Sequence, residues 1–166
     1  MTTHDPNQRY VYIGADATRD IRSRVKPLGT VLLLLSLITA ALIVGLAAGL
    51  MSSAGMTAIF PLMLGGISVF FAFLTTLTLT MVGRTARADG WFNTVEVWQL
   101  RRMRIVFTSS ILVLTLLAEL LLAAVVATAD RATPVPAFTY FLLLAVPVVL
   151  ALVATRRGNR AVRTSE

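Results

Sequence analysis

The sequence predicts an all-α membrane protein, a bundle of four transmembrane helices, and three observations predict it. First, 57% of the 166 residues are hydrophobic and only 14% charged, with a mean hydropathy of +0.80. An ordinary soluble domain carries about 25% charged residues. Second, the apolar residues gather into four runs, about Leu28–Met51, Thr57–Val82, Ile105–Thr128 and Ala137–Ala154. A helix needs about 20 such residues, at roughly 1.5 Å rise each, to cross a bilayer core. Third, none of the four runs contains Lys or Arg, and Glu119 is their only acid. Stretches such as Val31–Leu35 do not alternate, as the roughly ten-residue strands of a barrel would. A helix satisfies its own backbone in lipid. With no cysteine in the chain, a disulfide scaffold is excluded too.

The basic residues give the spans a direction. Fourteen of the fifteen Lys and Arg lie in residues 1–27, the middle loop 83–104 and the tail 156–166; the exception is Arg131. The positive-inside rule makes those three segments cytoplasmic, with both termini inside. The charge of +7 then reads as a topology signal and an attraction to anionic head groups of membrane lipids. It does not read as nucleic-acid binding, because the basic residues are split among three membrane-adjacent pieces. A cleaved signal peptide fits poorly, since the first apolar run is long and follows the charged segment Met1–Lys26.

Residues Met1–Gln8 form a polar lead-in holding the single histidine, His4, with no second ligand beside it. Tyr10 and Tyr12 sit among charges, at head-group level or solvated. Asp16, Arg19, Asp20 and Arg24 have spacings that permit intrahelical pairs. Pro27 suits the first turn of span one.

Span one carries Ala41, Gly45 and Gly49 at four-residue intervals. Small residues so spaced let another backbone approach closely, either within the monomer or across an oligomer or subunit contact. Span two has Pro61 near its outer end, Gly65-Gly66 further in, and Thr75, Thr76, Thr78 and Thr80 in its inner half. Those hydroxyls can bond carbonyls of the preceding turn and need no partner.

In the middle loop, Asn93 and Glu96 have the offset of a capping box, and Phe92 and Val97 that of a hydrophobic staple. With no proline or glycine from Thr94 until span three is over, one helix is expected from Thr94 through Ala127, its first turns extending the third span into the cytoplasmic loop. Trp91, Val95 and Trp98 then share a side, with Arg101, Arg102 and Arg104 as a basic collar. Indoles at head-group depth with arginines reaching phosphates make an interfacial lipid anchor. A partner-binding surface is the sharper reading of the same residues.

The pattern Arg87-Ala88-Asp89-Gly90-Trp91-Phe92, followed by Leu100-Arg101-Arg102, resembles the middle loop of a family of small bacterial four-span membrane proteins of undefined function. Those proteins show a similar Asp-Gly-x-Phe step before a Leu-Arg-Arg-like start to the third helix. The resemblance implies a multi-pass protein of the bacterial plasma (inner) membrane and supplies no catalytic residues.

Glu119 falls near the middle of span three, where an ionised carboxylate costs at least ~3 kcal/mol on insertion scales. No span offers it a cation. Thr108, Leu112, Thr115, Glu119 and Leu122 step along one face as a polar seam expected to point into the bundle. A neutral Glu119 bonded to another span's hydroxyl, a contact with another subunit, and a proton-coupling carboxylate are the competing readings. Pro147 near the centre of span four predicts a kink.

Nucleophile–base pairs, paired carboxylates and metal-ligand clusters are all missing, so neither an enzyme nor a bound cofactor is expected. The expected function is non-enzymatic: an accessory or regulatory subunit of a membrane complex, or a homo-oligomer. The alternative is a proton-linked small-molecule transporter built by oligomerisation around Glu119.

Overall fold

The computed structural model describes residues 10–129 and 136–163; of Ser53 and residues 161–163 only the backbone is described. The lead-in with His4, and Arg9 and Arg131 of the charge count, lie outside the described residues. The order is β1 (Tyr10–Tyr12), α1 (Ala15–Ala54), a 3₁₀ turn (Gly55–Ala58), α2 (Ile59–Thr85), β2 (Trp91–Asn93), α3 (Thr94–Ala127) and α4 (Ala137–Arg163). All four α-helices are long and apolar enough to cross a membrane.

α1 differs from expectation at its start. It begins at Ala15 rather than Leu28, so Pro27 lies inside it instead of in its first turn. The break comes one residue earlier, where Gly14 takes φ 93°. Residues 15–27 are helical because their apolar positions already keep helical spacing: Thr18, Ile21 and Val25 are buried and continue the line to Leu32, Ser36 and Thr39. Pro27 is tolerated on the exposed side. At the other end α1 turns into α2 within four residues; Gly55 takes φ 68° and its N–H returns to Met51 O. α4 continues as helix through Pro147, which is fully buried.

α2 packs against the three other helices, and so does α4, while α1 and α3 stand at opposite corners of the bundle. Lipid offers helices little hydrophobic driving force toward one another, so close packing must hold them. Small residues provide it. A Cβ on Gly29 would fall 2.5 Å from Thr80 Cγ2, and one on Gly65 would run into Leu144. Gly83 lies against Val25 and Lys26. The outside is lined by exposed Leu34, Leu37, Val44, Phe60, Val113, Leu116, Leu120 and Leu142. An apolar band of that extent suits hydrocarbon and not water.

The threonine hydroxyls in the inner half of α2 are satisfied locally. Thr75, Thr76, Thr78 and Thr80 each donate to a carbonyl three or four residues back, at 2.7–2.8 Å. The apolar core continues past the spans at the basic end, where Ile21, Val25, Val82, Phe92, Val97 and Leu100 form one cluster with Leu150 and Ala154.

Candidate functional site

Two places carry unusual chemistry: the basic end of the bundle, and the edge of α3 at Glu119. The basic end is closed by a cap that sequence reasoning did not foresee. β1 pairs antiparallel with β2, placing Tyr10 opposite Asn93, Val11 opposite Phe92 and Tyr12 opposite Trp91. The chain between α2 and β2 folds back on itself through an Ala86–Phe92 bridge, an Arg87 N–H to Trp91 O bond (2.9 Å) and a Gly90 N–H to Arg87 O turn (3.2 Å). Gly90 takes φ 92°, and a side chain there would meet Tyr12 Cε2 at 2.7 Å and Ala15 N at 2.9 Å. The Asp-Gly step is therefore a turn whose glycine is required twice, by its dihedral and by its neighbours.

Side chains reinforce this cap. The Arg87 guanidinium stacks over the Tyr10 ring at 4.6 Å and donates to its hydroxyl at 3.3 Å. Tyr12 meets Trp91 edge-on at 5.5 Å, and Arg22 donates to Ala86 O at 2.7 Å. Phe92 is buried beside Val97, the pair expected as a staple. Asn93 Oδ1 accepts the Glu96 N–H at 3.1 Å, as the spacing predicts. The Glu96 carboxylate returns the bond to the Asn93 side-chain amide at 3.2 Å rather than to its backbone.

Trp91, Val95 and Trp98 are all exposed: Trp91 lies in β2, which leads into α3, and packs on Tyr12, while Trp98 is on α3 with Arg102 over its ring at 5.8 Å. The collar needs correction. Arg101 and Arg102 are exposed, but Arg104 is completely buried and cannot serve as a free lipid or partner contact. Its guanidinium lies beside Gly158 of α4, with Leu79 of α2 against the same glycine. None of its three nitrogens has a hydrogen-bond partner among the described residues, nor does the buried Asn159 Oδ1. An uncompensated buried charge is strongly destabilising.

The polar seam of α3 divides. Thr108 shares a 2.9 Å hydrogen bond with Thr155 of α4, and Thr115 donates to Ser68 of α2 at 3.4 Å. Leu122 is buried with them, whereas Leu112 is 46% exposed and faces outward. Glu119 is half-buried at the margin between seam and lipid-facing surface. No described residue gives its carboxyl a hydrogen bond or an ion pair; the one salt bridge among the described residues joins Arg24 to Asp20 at 2.8 Å.

The small-residue stripe of α1 faces away from the bundle. Ala41 and Gly45 are exposed, Gly49 is half-buried, and a Cβ on Gly45 would meet nothing within 4 Å. Among the described residues nothing fills the space at Gly45.

Two cavities flank α1 at the basic end. One, of about 410 Å³, is lined by Asp16, Arg19, Arg22 and Arg87 beside the cap. The other, of about 570 Å³, runs between α1 and α4 and is lined by Arg24, Arg157 and Arg160 together with Ile21, Val25, Leu28 and Val31. Among the described residues no group of His, Cys, Asp and Glu could hold a metal ion. Comparison with protein-family models, curated proteins and solved structures finds no match to this chain.

Proposed function

We propose that this chain is a small non-enzymatic integral membrane protein that works in association, as an accessory or regulatory subunit or as a homo-oligomer. Glu119 carries the reading. It sits deep in a helix long enough to span a membrane, at the margin of the lipid-facing surface, with no partner among the described residues. A carboxyl so placed is costly until another polar group meets it, and the exposed side of α3 is where a second helix can bring one. The outward-facing Ala41 and Gly45 of α1 give a second flat surface for such a helix.

The orientation that fits the charge distribution puts both termini and the strand cap in the cytoplasm of a bacterial cell, with the first turns of α3 projecting there. The exposed Trp98, Arg101 and Arg102 then meet head groups of the inner leaflet.

Purification from the source membrane in native nanodiscs, with mass and subunit composition measured together, tests the proposal. A stoichiometric partner or a defined homo-oligomer is expected, and Glu119→Leu should release it while the chain stays in the membrane. A bare monomer overturns the proposal.

A further inference from the structure

The geometry points to a binding site for one anionic phospholipid in the groove between α1 and α4, with the phosphate at Arg24, Arg157 and Arg160 and an acyl chain along Leu28 and Val31. The groove encloses about 570 Å³ and is lined by both sets of residues. Its two ends differ in chemistry. Arg157 neighbours Gly158, which packs at the level of Leu79, and the adjoining Thr80 packs on Gly29. The arginines of α4 thus lie beside the turn of α1 that holds Leu28, with Arg24 on the preceding turn. From there Leu28 and Val31 continue toward the apolar body of α1, where Lys and Arg are absent. A cationic mouth leading into an apolar channel matches an amphiphile that has an anionic head and a hydrocarbon tail.

Charge balance favours an anion over a zwitterion. Asp20 is the one acid in the lining and is held by Arg24 at 2.8 Å, through Arg24 Nε. With Arg24 offset by Asp20, the exposed Arg157 leaves the mouth positive. Arginine suits phosphate oxygens because its planar fork donates two parallel N–H bonds. The other cavity, beside Arg22 and Arg87, lacks the apolar channel; its lining is Ala, Asp, Thr and Arg. The α1–α4 groove is therefore the one that offers contacts to both a head group and an acyl chain.

This inference rests on the membrane reading and not on self-association. The test uses the full chain in phosphatidylcholine vesicles with spin-labelled phosphatidylglycerol or spin-labelled phosphatidylcholine as probe. Preferential immobilisation of phosphatidylglycerol is expected. Replacing both Arg24 and Arg157 by Gln should lower the preference about five-fold per arginine. Val31→Trp, which fills the channel from its exposed side, should lower it without changing charge. Removing the same charge elsewhere, in Arg19→Gln with Arg84→Gln, both exposed and outside the groove, should leave most of it. Excess glycerol phosphate, which lacks acyl chains, should not displace the probe.

Equal binding of the two lipids overturns the inference, as does equal loss in the two double variants or displacement by glycerol phosphate. A chain that never enters the vesicles defeats the membrane reading itself, a distinguishable result.

Discussion

The guanidinium of Arg104 occupies the space that a side chain at Gly158 would need: a Cβ on Gly158 would fall 2.9 Å from Arg104 Cζ. The two residues lie on adjacent helices, and the absent side chain of one is what admits the other. Among the described residues the guanidinium so admitted has no hydrogen-bond partner on any of its nitrogens.

That arrangement makes Arg104 a destabilising residue. Replacing a buried charge by an apolar side chain of similar volume is often neutral or stabilising by about 1–4 kcal/mol. Arg104→Met should accordingly raise the thermal midpoint in a fixed detergent. A lowered midpoint would mean that the guanidinium has partners in solution.

Gly158→Ala should be costly in the wild-type chain, by about 1–3 kcal/mol, because the added methyl meets a side chain already enclosed. In an Arg104→Met background the same change should cost less by ~1 kcal/mol, since contacting residues couple. The double-mutant cycle, read by thermal unfolding, decides the matter. Additive effects would show that the two residues do not touch.

Glycines on the two sides of the bundle should respond differently. Gly65→Ala pushes a methyl into Leu144 and should destabilise by about 1–3 kcal/mol. Gly45→Ala meets open space and should leave the monomer's stability unchanged or raise it by up to ~1 kcal/mol through helix propensity. Measured unfolding of the two variants side by side checks the orientation of α1 and α2.

At the cap, Gly90→Ala combines a disfavoured dihedral, about 1–2 kcal/mol, with a collision at Tyr12 and Ala15. Pairing of β1 with β2 should fail. Limited proteolysis should then cut before Ala15 while the helices remain protected. Unchanged protection of the amino-terminal segment would refute the role assigned to that turn.

Much of the fold was legible because hydropathy and chain punctuation act locally. The runs without Lys and Arg lie in the four apolar helices, and Asn93 caps α3 by its own side chain. The strand pair was not legible: Tyr10–Tyr12 is three residues long and its partner lies beyond two helices. The burial of Arg104 and the exposure of Leu112 had a signal that composition obscures. Val97, Leu100, Arg104, Thr108, Ile111, Thr115, Ala118, Leu122 and Val125 are all buried and follow one another in steps of three or four. That stripe includes Arg104 despite its charge and passes Glu119 by one residue, which sets the carboxyl at the margin. A seam drawn through polar residues alone drifts off it.

Because Tyr10–Tyr12 hydrogen-bonds to Trp91–Asn93, the chain's early residues are tied to a segment made only after both α1 and α2. During synthesis β1 must wait, unpaired, until the first two helices have been produced and their turn-back completed. The strand pair thus works as a clasp on the first helical hairpin, and it can close only if that hairpin has returned to the side from which it started. A chain whose second helix inserted the wrong way round would leave the clasp open, its tyrosines unpaired and the amino-terminal turn of α1 without a neighbour.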